Sequence, residues 1–159
     1  MTSIISKILE YTASEPVPNY ICDHPAPLAS FDAEAYMGTW IDQSDVKDEW
    51  FQENSWTCVQ AVYSNLNTTD GSFVVDNTSQ NSTFGPRFGI DGNGSCPNNN
   101  GQCFVSFFDA PFPENPNYNI VDTDYTSYSI VYSCSAFRAY LWYLSRDATV
   151  TQEWRDARK

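Results

Sequence analysis

From residue 38 onward the chain breaks into short runs rich in Val, Ile, Tyr, Phe, Trp and Thr, with turn residues between them. The runs fall at 38–46, 56–65, 72–78, 86–90, 102–109, 117–123, 127–136 and 139–146. Short runs of these residue types bounded by turn residues read as strands. Ser127 to Cys134 (SYSIVYSC) and Ala139 to Ser145 (AYLWYLS) are the least ambiguous, and Asp70-Gly71 supplies a hairpin turn. Eight such strands at short spacing predict an all-β fold, a sandwich or a barrel, and periodicity alone does not choose between them. Ahead of the strands, Ile4, Ile5, Ile8 and Leu9 have helical spacing that Pro16 and Pro18 interrupt, so residues 1–21 read as an accessory lead. After the strands, residues 149–159 turn helical in composition. Thr149 or Thr151 can cap this segment, and Arg155, Arg158 and Lys159 suit its C-terminal end.

Composition narrows the class of protein. A chain of 159 residues and 18.0 kDa fits one domain, and 42% hydrophobic with 16% aromatic residues can fill a core despite a mean hydropathy of -0.44. A net charge of -12 and a pI near 4.1 repel phosphate backbones and anionic lipid, which argues against nucleic-acid partners. No apolar run is long enough for a transmembrane segment. His24 is the sole histidine, so zinc centres and Ser-His-Asp triads lack raw material, and no G-x-S-x-G elbow occurs.

Five cysteines, Cys22, Cys58, Cys96, Cys103 and Cys134, are spread without a close CxxC pair, which suggests disulfides over metal ligation. Four Asn-X-Ser/Thr sequons, at Asn67, Asn77, Asn81 and Asn93, sit alongside them and point to the secretory pathway and N-glycosylation. Residues 3–9 are too short, and too interrupted by Lys7, for an ordinary signal peptide.

Two local patterns carry candidate chemistry. Asp91, Asn93 and Ser95 resemble the opening of a calcium loop, but Cys96 replaces its glycine and Gln102 its bidentate glutamate, so no metal site is expected. The economical alternative is a disulfide from Cys96 to Cys103 across a short loop between two strands. Asp42 follows Trp40 by two residues and shares its side of the sheet. Facing inward, its carboxylate is either a ligand anchor or acid/base group, or an ordinary hydrogen-bonded polar group near a cavity mouth.

Three stretches together resemble the lipocalin family, in the branch of apolipoprotein D and the bacterial outer-membrane lipocalin. They are Phe31 to Trp40 (FDAEAYMGTW), with its Gly-x-Trp; Val121 to Tyr125 (VDTDY), leading into the strand that ends at Cys134; and Trp142 to Arg146 (WYLSR). Cys58 to Tyr63 (CVQAVY) is similar to the branch's second strand, whereas residues 86–104 are the least family-like. The resemblance implies an eight-stranded antiparallel up-and-down barrel over residues 22–148, with 149–159 starting a short or truncated C-terminal helix. It also implies structural roles for Trp40, which closes one end, and Arg146, which lies across it. Cys22 pairs with Cys134 on this reading. The branch's partner for Cys58 lies beyond the C-terminal helix, so the chain is expected to lack that segment and Cys58 to be free or paired between molecules. A rearranged framework, with Cys58 bonded to one of the other four, is the alternative.

With Trp40 inward, alternation sends Asp42 into the lumen, and with Cys58 outward it sends Thr57, Val59, Ala61 and Tyr63 inward. Asn119 and Val121 match lining positions of the branch, and Trp142 is a further wall residue. The function implied is non-enzymatic carriage of one small hydrophobic ligand, a lipid, fatty acid, sterol, retinoid, carotenoid or bilin, by a secreted protein with no catalytic cofactor. The alternatives are a lipid-modifying enzyme using Asp42 and a partner-binding module using Trp50-Phe51 and Phe107-Phe108.

Overall fold

The computed structural model describes residues 25–44, 57–80, 85–135 and 138–158. The lead 1–21, Cys22, Trp50-Phe51 and Asn81 therefore lie outside the described residues. Eight strands close into a single barrel in the order β1 to β8, each antiparallel to the next and β8 returning to β1. They are β1 Gly38–Asp42, β2 Thr57–Asn67, β3 Ser72–Gln80, β4 Arg87–Ser95, β5 Gln102–Phe107, β6 Tyr118–Thr123, β7 Tyr128–Ser135 and β8 Arg138–Ser145. Two short helices flank them, α1 Ala33–Tyr36 and α2 Gln152–Asp156.

Local chemistry explains the helix ends. Asp32 caps α1 by accepting from the Ala35 N–H at 3.0 Å, and Thr151 caps α2 by accepting from the Trp154 N–H at 3.1 Å. Arg155 of α2 then donates to the Gln43 carbonyl and, at 3.1 Å, to Gln43 Oε1, which ties the helix to the end of β1.

β4 departs most from the sequence pattern, running five residues past the expected end at residue 90. Asp91, Gly92, Asn93 and Gly94 read as a turn, yet they stay paired with β3 and β5. The glycines face inward, where a Cβ at Gly94 would enter the Phe73 ring and one at Gly92 would meet the Phe107 ring. Two aromatic rings thus fill the space these positions leave open. Where the chain does turn, Gly71 has φ +71, and a Cβ there would lie 2.7 Å from the Cys96 carbonyl oxygen.

The core gathers toward the end where β1 begins. Trp40, Val75, Cys103 and Val131 are essentially inaccessible there, with Phe31, Tyr36, Tyr63, Phe73, Ile120 and Leu144 around them. At that end the turns after β2, β4 and β6, together with α1, seal the barrel.

Candidate functional site

Register assigns the inner face. Trp40 pairs with Ala61, Ala61 with Asn77 and Asn77 with Ile90, so these four positions share the lumen side. On the far wall Val131 pairs with Trp142, and Ile120 with Val131. The lumen then divides into two zones. The lower zone is the buried core just described. In the upper zone Ala61, Ile90, Val105 and Trp142 face inward but are only half-buried. Tyr140 stacks on Trp142 with centroids 5.5 Å apart and an interplanar angle of 13°, extending the aromatic wall toward the mouth.

The floor of the cavity is a row of hydroxyls. Tyr63 Oη lies 2.7 Å from Tyr118 Oη, Tyr118 Oη 3.3 Å from Tyr36 Oη, and Tyr36 Oη 2.9 Å from Ser129 Oγ. Burial pushes the Tyr36 phenol up to about 12, and it raises those of Tyr63 and Tyr118 further. All three phenols therefore stay protonated at neutral pH.

Beneath this floor sits the structural pair. The Arg146 guanidinium carbon lies 3.7 Å from the Trp40 ring centroid. Arg146 also donates to the carbonyls of Thr39 at 2.9 Å, Tyr125 at 3.1 Å, and Ala35 and Tyr36 at 3.2 Å. The Trp40 indole N–H donates to the same Tyr36 carbonyl at 2.9 Å. Strand ends, α1 and the β6–β7 turn thus converge on one side chain.

Some positions expected on the inner wall, from alternation on β2 and from the resemblance on β6, lie elsewhere. Thr57 pairs with Gln80 on the outer face, because a bulge at Cys58, whose φ is +54, inserts a residue ahead of Gln60. Val59 is half-buried beside that bulge. On β6 the inward residues are Tyr118 and Ile120. Asn119 pairs with Tyr132 on the outer face, buried there, and Val121 is the extra residue of a bulge between Ile120 and Asp122. An offset of one residue moved the expected wall to the wrong side of the sheet.

Asp42 takes the lumen side of β1, opposite Leu144, and its Oδ1 accepts the Ser44 N–H at 2.8 Å. The carboxylate is turned back on its own loop. Among the described residues no group of His, Cys, Asp or Glu gathers to hold a metal ion.

Cys96 and Cys103 are bonded across the β4–β5 turn. Cys134 is also disulfide-bonded, and its expected partner, Cys22, lies outside the described residues. Cys58 is free and exposed. Asn67 and Asn93 are exposed, but Asn77 faces the lumen with its carboxamide oxygen buried and without a hydrogen-bond partner. A glycan on Asn77 has no room in the closed barrel, so that sequon is corrected to an interior position. A separate groove of about 630 Å³, lined by Phe31, Asp32, Leu66, Asp70, Pro97 and Tyr125 among others, lies outside the closed end and does not form part of the lumen.

A closed eight-stranded barrel with a sealed aromatic floor and inward, half-buried apolar side chains above it has the architecture of a container for one small molecule. Residues 31–158 match the lipocalin-like domain model, and the chain belongs to the lipocalin family. It is 30% identical over 139 residues to apolipoprotein D of Rattus norvegicus, an alignment spanning 83% of this chain and 69% of that protein. It is 32% identical over 118 residues to the Lazarillo protein of Schistocerca americana, spanning 71% of this chain and 51% of that one, about half its length. Among solved structures, apocrustacyanin C1 superposes with a TM-score of 0.57 at 19% identity, covering 84% of this chain and 78% of that one. No helix among the described residues is long and apolar enough to cross a membrane.

Proposed function

We propose that the protein carries one small hydrophobic molecule in the upper lumen. The observation that carries this reading is a set of inward apolar side chains, Ala61, Ile90, Val105 and Trp142, that stay half-exposed above a closed floor. Apolar surface facing inward and reached by solvent gains about 25 cal/mol for each Å² that a ligand covers. Ala61, Tyr63, Trp142 and Val59 are the proposed contacts from the positions named by sequence, joined by Ile90, Val105 and Phe107. Asn119 and Val121 are not among them.

Carriage without catalysis is supported by the same geometry: the one carboxylate singled out, Asp42, is engaged by the Ser44 N–H. Secretion is supported by the bonded cysteines, since disulfides persist in oxidising compartments.

Protein from its natural source, examined by absorption spectroscopy and denaturing mass spectrometry, tests the reading. A stoichiometric lipid or pigment released on denaturation is the expected result. A clean apo mass, together with no binding of apolar probes by the refolded protein, contradicts it.

A further inference from the structure

We propose that the Tyr118 hydroxyl donates a hydrogen bond to the buried end of the carried ligand, and that this end bears an uncharged acceptor, a ketone, aldehyde or ester carbonyl. The proposal rests on the carrier reading and deepens it by naming the ligand's chemistry.

Proton counting on the cavity floor leads to it. Each hydroxyl has one proton to donate and two lone pairs to accept with. Tyr63, Tyr118, Tyr36 and Ser129 form an open row of four hydroxyls joined by three contacts. Three bonds use three protons, so one of the four is left over in every arrangement. These are the bonds the four hydroxyls make among the described residues.

Burial indicates where the extra proton resides: Tyr36, Tyr63 and Ser129 are buried at 3%, 3% and 1% exposure, whereas Tyr118 is only half-buried. If Tyr118 accepts from both Tyr63 and Tyr36, and Ser129 donates to Tyr36, every proton of the three buried members is used. The remaining one belongs to Tyr118, which can aim it at whatever occupies the cavity. Leaving a donor without an acceptor in a low-polarity site is unfavourable, so the site selects a ligand that supplies one.

The acceptor is neutral because, among the described residues, no unengaged cation faces the floor to compensate an anion. Burial keeps the phenols themselves protonated, and the same loss of solvation acts on an ionised carboxylate. Arg146, the cation beneath the floor, is already held by four backbone carbonyls and the Trp40 face.

The test uses the full chain and a matched pair of probes, a long-chain methyl ketone with an isotope-labelled carbonyl and the alkene of equal length. Each competes against a bound naphthylamine dye. Tyr118→Phe is expected to weaken ketone binding roughly five- to tenfold, the size of one net hydrogen bond, and to leave alkene binding unchanged. In wild type the carbonyl stretch of the bound ketone should move to lower frequency, and Tyr118→Phe should restore it. An unshifted carbonyl in wild type overturns the proposal even if Tyr118→Phe does not fold, and so does ketone affinity that survives in a folded Tyr118→Phe protein. Failure of both probes to displace the dye removes the carrier reading as well.

Discussion

The contact between Arg146 and Trp40 makes a quantitative prediction about stability. Trp40 is fully buried, so Trp40→Leu loses ring volume and leaves a void in the closed end, a cost of about 2–4 kcal/mol. Its indole N–H leaves the Tyr36 carbonyl, but Arg146 still donates to that oxygen, so no acceptor is orphaned. Arg146→Ala removes donors to four carbonyls; water can replace the bond at exposed Thr39, and Trp40 keeps its bond at Tyr36. A loss of about 2–3 kcal/mol follows, the value of one or two hydrogen bonds to a charged group. The cation–π term belongs to the pair and is lost once, whichever partner is removed. With the guanidinium 3.7 Å from the ring centroid in a partly buried site, it contributes about 1 kcal/mol. The double variant is spared a second loss of this term, but it also strips the buried Tyr36 carbonyl of both side-chain donors, at about 1–3 kcal/mol, so it should be more destabilised than the sum of the singles, by up to about 2 kcal/mol. Urea unfolding followed by far-ultraviolet circular dichroism measures all four proteins, and common m-values validate the cycle. A double variant less destabilised than the sum of the singles by more than about 0.3 kcal/mol would refute the shared Tyr36 acceptor.

Other parts of the fold give sharper local tests. Gly94→Ala should cost about 1–3 kcal/mol, because the new Cβ enters the space of the Phe73 ring, and adding Phe73→Leu should recover part of it in thermal melts. The Asp124 carboxyl is held down at about 2: burial opposes ionisation, but the Ser127 hydroxyl and the N–H groups of Tyr128, Ser127 and Thr126 outweigh it. Its folded value lies below the unfolded value of about 3.9, so its contribution is present above about pH 4 and lost as pH falls through about 2. Asp124→Asn should flatten the acid limb of a stability profile, and an unchanged limb would show that this turn does not govern it.

The barrel was legible in the sequence because its strands alternate and its motifs come in order. Trp40, Thr123-Asp124-Tyr125 and Arg146 meet at the closed end although 106 residues separate the first from the last. The errors arose where backbone geometry departs from strict alternation. The bulge at Cys58 changes the phase of β2, and no composition signal marks a bulge at a non-glycine residue, whereas Asn119 and Val121 had been placed by the family resemblance. On β6 the clue was nonetheless present, since Tyr118 and Ile120 form the apolar set and Asn119 the polar one. β4 was cut short because glycine and asparagine signal turns, and only the rings of Phe73 and Phe107 across the sheet explain why they extend a strand. The row of hydroxyls was not legible at all, because it joins α1, β2, β6 and β7.

The central claim, one apolar ligand in the upper lumen, is tested most directly at Ala61. This small inward side chain lies opposite Trp40 and Asn77, so Ala61→Trp places an indole in the cavity while keeping the outer surface. Titration with a fluorescent fatty acid analogue should show one saturable site in wild type and at least a tenfold loss of affinity in Ala61→Trp, with circular dichroism unchanged. Equal affinity in a folded Ala61→Trp protein would mean that the ligand binds elsewhere, and the account of the lumen would fail.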